Sequence, residues 1–145
     1  MTMESIPVNT VGIIIAAHTD YAAALLRTTE FILGPLSDCT SISVDAGFDA
    51  SETVQRLNDA AQLLDKGAGV LILTDMFGGT PTNLSLALLN THNVEVVTGV
   101  NLPMIIKAFN ARALPLKKLA ELAGEAGKQG IVVAGGMLEQ KAPKA

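Results

Sequence analysis

Short apolar blocks and longer amphipathic blocks alternate along the chain. Four blocks predict strands, because they are short and rich in Val, Ile and Leu: 11–17, 41–45, 70–74 and 94–98. Five blocks predict helices, because apolar residues recur at helical spacing or a proline stands where a first turn begins: 20–33, 51–66, 80–89, 103–112 and 115–128. Either Asp49 or Ser51 is suited to cap the second of these helices.

This order of elements predicts an α/β fold of the flavodoxin-like, doubly wound kind. Strands joined by helical crossovers lie parallel, and the economical winding places the four strands in the order 2-1-3-4. A short fifth strand is expected at 131–134. One domain is expected over 11–138, between a disordered lead-in at 1–10 and a tail at 139–145.

The loops that follow the two central strands are where chemistry is expected. The chain reverses its direction of winding between strands one and three, and ligands bind beyond the carboxyl ends of the strands at such a point. His18 follows strand one, and Asp75 follows strand three. The carboxylate can accept a hydrogen bond from one ring N–H and leave the other nitrogen free as a nucleophile. A lone histidine is more often structural, so it is the expected proximity of Asp75 that favours a functional role for His18.

The loop after Asp75 predicts an anion site. Gly78 and Gly79 permit close approach of the backbone to a ligand, and Thr80 is expected to cap a helix whose free N–H groups favour an anion. A nucleophilic imidazole, an orienting carboxylate and an anion site together describe a histidine that carries a phosphoryl group.

Apolar residues in the loops at the same end of the sheet predict a partner surface. Met76, Phe77 and Met104 are expected to form it. His92 precedes strand four at the opposite end of the sheet and is expected to be a solvated turn residue. Cys39 also lies at that end and is expected to be a small buried residue without redox function.

Composition narrows the classes of partner and cofactor. The chain has 145 residues, 49% hydrophobic and 17% charged, with a net charge of −4, so neither a disordered chain nor a nucleic-acid or anionic-lipid partner is supported. It lacks a nucleotide-binding glycine motif and any cluster with metal-ligand spacing, and we expect no cofactor and no metal. A single cysteine and the short longest apolar stretch, VGIIIAA, favour the cytoplasm.

Three segments carry a resemblance to a known family. They are the apolar strand that ends in the His18 loop, the block LTDMFGGTPTN at 73–83 and the block TGVNLPM at 98–104. Over about 11–138 the chain resembles the IIA component of the mannose family of the bacterial phosphoenolpyruvate-dependent sugar phosphotransferase system. Members of that family usually have Gly directly after the histidine, whereas Thr19 stands here.

The resemblance implies a function and roles for these residues. His18 would accept a phosphoryl group from the phosphocarrier HPr and pass it to a IIB partner, with the membrane subunits IIC and IID downstream. Asp75 would orient His18, and Thr80 with the amides of Gly78 and Gly79 would receive the phosphoryl oxygens. The family also implies a homodimer in which the fifth strand pairs with the sheet of the other subunit.

We therefore expect a cytoplasmic phosphotransferase that relays a phosphoryl group through His18. The main alternative is a regulatory phosphoprotein of the same fold that signals metabolic state without sugar transport. The phosphoryl-accepting subunit of a dihydroxyacetone kinase is similar in fold, but the blocks after strands three and four favour the mannose type. A receiver domain needs an acidic cluster after strand one, where only Asp20 stands.

Overall fold

The structure, a computed structural model that describes residues 9–141, is built on a sheet of four parallel strands. The strands are β1 (Gly12–His18), β2 (Cys39–Val44), β3 (Val70–Thr74) and β4 (Val94–Thr98). Their order across the sheet is β2-β1-β3-β4, so the predicted α/β fold and winding are confirmed. β2 begins two residues earlier than predicted. β1 begins and ends one residue later than predicted, so His18 is the last residue of β1 rather than the first of a loop.

Six helices connect and cover the strands among the described residues. They are α1 (Tyr21–Leu33), α2 (Ala50–Leu64), α3 (Thr80–Leu86), α4 (Leu102–Asn110), α5 (Leu116–Gln129) and α6 (Ala134–Lys141). Asp49 is the cap of α2, because its side chain accepts a hydrogen bond from the Glu52 backbone N–H at 3.0 Å. Helix α3 ends earlier than expected, because the chain tightens after it into turns such as Leu88 N–H to Ser85 O at 3.0 Å.

Both faces of the sheet are buried, which explains the continuous apolar runs of the central strands. Alternate residues of a strand point to opposite faces. Ile13 and Ile15 of β1 pack in a core with residues of α1, α4 and α5. Ile14 packs on the other face, in a core that includes Leu57 of α2. The helices therefore leave only the edges and the two ends of the sheet open to a ligand.

The segment after α5 differs from the sequence prediction. Residues 131–133 form no strand within this chain, and α6 occupies the start of the expected tail. Ile131, Val132 and Val133 are 77%, 53% and 82% exposed. A strand needs a second backbone to pair with, and this segment forms no strand pairing with the rest of residues 9–141. Exchange of a fifth strand between subunits stays a prediction.

The ends of the expected domain fall partly outside the described residues. Residues 1–8 of the expected lead-in and 142–145 of the expected tail are in that position, so the division into 1–10, 11–138 and 139–145 stays a prediction. Among residues 9–141, no helix has both the length and the apolar character needed to cross a bilayer.

Candidate active site

His18 and Asp75 meet at the carboxyl end of the two central strands. In the pairing of β1 with β3, Ala16 lies opposite Thr74, so Asp75 stands one residue beyond the last pair and His18 two. Parallel strands end at the same edge of a sheet, which is why two residues separated by 57 positions in sequence come into contact. The structure brings together the two groups that the sequence predicted to be partners.

The Asp75 carboxylate is held by bonds to both of its oxygens. Its Oδ2 accepts the His18 backbone N–H at 2.9 Å and lies 2.6 Å from the ring Nδ1. Its Oδ1 accepts the Met76 backbone N–H at 3.0 Å. An ionised carboxylate can only accept, so the Nδ1 of His18 carries a proton, and in the neutral ring Nε2 then keeps its lone pair. The His18 side chain is 44% exposed and that of Asp75 11%, so the imidazole is accessible while its partner is shielded.

Burial and hydrogen bonding act in opposite directions on the Asp75 carboxyl. Burial raises its pKa, but the bonds from the backbone N–H and the ring of His18, the charge of that ring and the Met76 N–H lower it by more. The pKa of Asp75 therefore lies below its ordinary value. Asp75 is therefore ionised at neutral pH and accepts the Nδ1 proton as a carboxylate.

The glycine loop packs directly against the imidazole. A Cβ added to Gly79 would lie 3.1 Å from the His18 Cε1, which is closer than side chains normally approach. Gly78 has a φ of +81°, in the left-handed region that favours glycine. Gly79 is also the cap residue of α3, and Thr80 is the first helical residue. The expectation that Thr80 caps this helix was wrong, because the chain enters the helical conformation one residue earlier than the Thr-Pro pair suggested.

Two of the three residues expected to form a partner surface are exposed. Met76 and Phe77 are 56% and 79% exposed beside the site, as expected. Met104 is only 3% exposed, so the expectation that it contacts a partner was wrong. The Asn101 side chain accepts the Met104 backbone N–H at 3.0 Å and starts α4 one turn before Met104. That phase turns the Met104 side chain into the core, where a Cβ on Gly127 would lie 2.8 Å from its Cε.

Two residues outside the site, His92 and Cys39, have surroundings that differ from those expected. The His92 Nε2 lies 2.9 Å from Asn58 Oδ1, so His92 is hydrogen-bonded to α2 rather than merely solvated. Cys39 was expected to be buried but is only half-buried, and this burial raises the pKa of its thiol. Among residues 9–141, no three acidic, His or Cys side chains lie close enough together to hold a metal ion.

Sequence comparison assigns the chain to a family. The family model described as "PTS system fructose IIA component" matches residues 12–125, which include the whole sheet and the His18 and Asp75 loops. The chain belongs to this IIA family of the phosphotransferase system.

The similarity to curated IIA proteins covers a different fraction of each relative. The mannose-specific EIIAB component of Escherichia coli (strain K12) is 34% identical over 125 residues, which are 84% of this chain and 39% of that protein. This IIA chain thus spans about two fifths of the length of that relative. The sorbose-specific EIIA component of Lacticaseibacillus casei is 35% identical over 112 residues, 74% of this chain and 78% of that protein.

Solved IIA structures share the fold. The mannose/sorbose-specific IIA subunit from Enterococcus faecalis superposes with a TM-score of 0.76 at 30% identity, covering 86% of this chain and 94% of that one. The EIIA component from Streptococcus agalactiae gives a TM-score of 0.79 at 27% identity, covering 86% and 98%.

Thr19 marks the point where this IIA chain departs from the family pattern expected from the sequence. Its φ is 52°, in the left-handed region that a β-branched residue rarely adopts. Its backbone N–H bonds to Val44 O at 3.0 Å, which holds the loop to the end of β2. The backbone here has the conformation that glycine accepts readily, and the threonine is accommodated in it.

The sequence analysis missed two buried threonines beneath the site. The hydroxyls of Thr74 and Thr82 lie 2.6 Å apart, and the Thr82 hydroxyl donates to Met76 O at 2.6 Å. Both residues are fully buried. The available signal was their position: one hydroxyl ends an otherwise aliphatic strand, and the other follows Pro81 in the next helix.

Proposed function

We propose that this chain is a phosphocarrier that accepts a phosphoryl group on His18 from phosphorylated HPr and passes it to a IIB partner during sugar uptake. The observation that carries the proposal is the 2.6 Å contact between His18 Nδ1 and Asp75 Oδ2, which leaves the other ring nitrogen, Nε2, available on a side chain that is 44% exposed. The cytoplasm is the compartment in which HPr and IIB would meet it, and the membrane subunits IIC and IID would receive the phosphoryl group only indirectly.

In the first step, Nε2 of His18 supplies its electron pair to phosphorus. The bond between phosphorus and the donor breaks, and the donor keeps that electron pair. The ring, which already carries a proton on Nδ1, gains positive character, and the Asp75 carboxylate stabilises it. Transfer to IIB is the reverse sequence with a new acceptor. Catalysis then consists of positioning and charge stabilisation, with no cofactor required by the scheme.

The loop that packs against the ring is proposed to hold the phosphoryl oxygens. Gly78 and Gly79 would offer backbone N–H groups, and the Thr80 hydroxyl would offer a side-chain donor. Support comes from the proximity of Gly79 to His18 Cε1, since Cε1 is bonded to Nε2. Met76 and Phe77, exposed on the same loop, are proposed as the apolar contact for both partner proteins.

A homodimer is proposed on separate grounds. β4 is an edge strand of the sheet, and a groove of about 520 Å³ runs beside it, lined by residues such as Val96 and Gly124. The segment 131–133 of a second subunit is apolar and exposed, so its backbone could pair with this edge and its side chains could fill the groove. Sedimentation equilibrium should give twice the 15.0 kDa chain mass at micromolar concentration. Val132→Asp should give a monomer, while Leu63→Asp on the exposed face of α2 should not.

The carrier function is tested with labelled phosphoenolpyruvate, enzyme I and HPr. We expect one phosphoryl group per chain, no label on His18→Ala and full label on His92→Ala, because only His18 lies beside Asp75. Addition of a IIB protein should discharge the label. Equal labelling of His18→Ala would overturn the assignment of the acceptor, and retention of the label with several IIB proteins would favour the regulatory alternative.

A further inference from the structure

A chain of two hydroxyls lies under the loop that carries Asp75. Thr74 ends β3, and Thr82 stands in the first turn of α3. Their Oγ1 atoms are 2.6 Å apart, and Thr82 Oγ1 is also 2.6 Å from Met76 O. Both side chains are fully buried, so water does not compete for these bonds.

The number of available protons fixes the direction of these hydrogen bonds. A hydroxyl has one proton to donate, and the Met76 carbonyl can only accept. The Thr82 proton therefore goes to Met76 O, and Thr74 must donate to Thr82. The order is Thr74 hydroxyl to Thr82 hydroxyl to Met76 carbonyl, and Thr82 is the one member bonded on both sides.

Met76 connects the hydrogen-bonded threonines to His18. Its carbonyl is held by Thr82, and its N–H donates to Asp75 Oδ1 at 3.0 Å. The other oxygen of Asp75 holds the backbone N–H and the Nδ1 of His18. On the opposite side of Asp75, Thr74 is fixed in the sheet, and its carbonyl accepts Val100 N–H at 2.9 Å. Asp75 thus lies between two anchored peptides, and Thr82 supplies the side-chain anchor of the second.

We propose that Thr82, with Thr74 as its donor, is a positioning residue that holds the Asp75 carboxylate in register with His18 Nδ1. It touches neither the ring nor a phosphoryl group, and acts through the Met76 peptide. The expected effect of Thr82 on phosphoryl transfer rests on the proposed function. Its expected effect on the His18 tautomer does not.

The test compares Thr82→Val, which keeps the shape and removes the hydroxyl, with Thr82→Ser, which keeps the hydroxyl. The first readout is nitrogen-15 NMR of the unphosphorylated His18 ring. Wild type and Thr82→Ser should show the proton on Nδ1, and Thr82→Val should show a clear rise of the Nε2–H form. The second readout is phosphoryl transfer from phosphorylated HPr, where Thr82→Val should lower the rate at saturating donor about 10- to 100-fold with KM unchanged.

Two controls separate positioning from loss of stability. Ser85→Ala removes another fully buried hydroxyl of α3, whose 2.7 Å bond goes to Pro81 O and not to the Asp75 loop. It should leave the tautomer and the transfer rate unchanged. The double variant Thr74→Val with Thr82→Val removes both hydroxyls, so no buried donor is left unpartnered and unfolding stability should recover. Its tautomer and transfer defects should persist, because Met76 O still lacks the 2.6 Å bond from Thr82 and keeps only the longer bond from the Gly79 backbone N–H, at 3.4 Å.

The outcomes are separable. An unchanged His18 tautomer in a folded Thr82→Val protein would overturn the positioning role, as would recovery of the tautomer in the double variant. Absence of phosphoryl transfer in the wild type would refute the proposed function instead, and the tautomer comparison would still decide the role of Thr82.

Discussion

Replacing Asp75 by Asn is the sharpest perturbation of the site, because the change keeps the shape and removes the charge. In the wild type, Oδ2 lies 2.6 Å from the His18 Nδ1 and 2.9 Å from the His18 backbone N–H. The amide oxygen of Asn can still accept one of these bonds, so the resting protein should remain folded. The amide cannot stabilise the positive ring that forms when Nε2 accepts the phosphoryl group.

The size of the effect follows from that missing charge. A hydrogen bond to a charged group contributes about 1.5–3 kcal/mol, and a preorganised partner of a developing charge contributes up to about 4 kcal/mol. At about 1.4 kcal/mol for each factor of ten, transfer should slow by about 10- to 1,000-fold. The exposure of His18 to solvent, 44% of its side chain, favours the lower half of that range.

The assay is single-turnover transfer from phosphorylated HPr to Asp75→Asn. Asp20→Asn is the matched control, because Asp20 lies two residues from His18 and its side chain makes no capping bond to α1. Removal of that exposed charge should change the rate by less than about fivefold. Transfer by Asp75→Asn within the range of this control would refute the argument that the carboxylate stabilises the charged ring.

Three further perturbations follow from the loops around the site. Thr19→Gly should raise the free energy of unfolding by about 0.5–1 kcal/mol in denaturant titration, because the φ of 52° is unfavourable for a β-branched residue. Gly79→Ala should displace the His18 ring, whose Cε1 would lie 3.1 Å from the new Cβ, and slow transfer about 10-fold. Gly78→Ala meets no atom within 4 Å but has a φ of +81°, so it should cost about 1 kcal/mol of stability. The pKa of Asp75 is lowered from 3.8 in the folded state, so its stabilising contribution is present above that value and is lost as the pH falls through the folded pKa. The difference in unfolding free energy between wild type and Asp75→Asn should therefore shrink as the pH falls below about 4.

Each of these predictions has a result that contradicts it. Asp38→Gly is the control for Thr19→Gly, because Asp38 has a φ of 51° but is a residue type that tolerates the left-handed region. An equal gain at both positions would show that the β-branched side chain of Thr19 adds no strain beyond that of Asp38. Wild-type transfer by Gly79→Ala would mean that the ring can move away from the new methyl group without consequence. A difference between wild type and Asp75→Asn that grows as the pH falls below about 4 would reverse the assigned direction of the Asp75 pKa shift.

The strand order and the contact between His18 and Asp75 were accessible from the sequence for one physical reason. Continuous apolar strands separated by amphipathic helices allow few windings, and parallel strands bring their carboxyl ends together. Any polar residues that directly follow two neighbouring strands must then meet. The partnership of His18 and Asp75 required only that β1 and β3 be adjacent, and they are.

Other features depend on contacts that sequence periodicity does not encode. The inward orientation of Met104 follows from a cap at Asn101, which sets the phase of α4. The Thr74 and Thr82 bond joins a strand to a helix across a loop, so no period links the two positions. The segment 131–133 has the composition of a strand, but a strand also requires a neighbouring backbone, and one chain does not supply it there.

The central claim is that Asp75 holds Nδ1 of His18 so that Nε2 carries the phosphoryl group. Nitrogen-15 NMR of the phosphorylated protein, with histidine labelled in the ring, measures this directly. The 2.6 Å contact predicts a phosphoryl group on Nε2 and a proton retained on Nδ1. A phosphoryl group on Nδ1 would contradict the account, because that nitrogen cannot bond to Asp75 and to phosphorus at the same time.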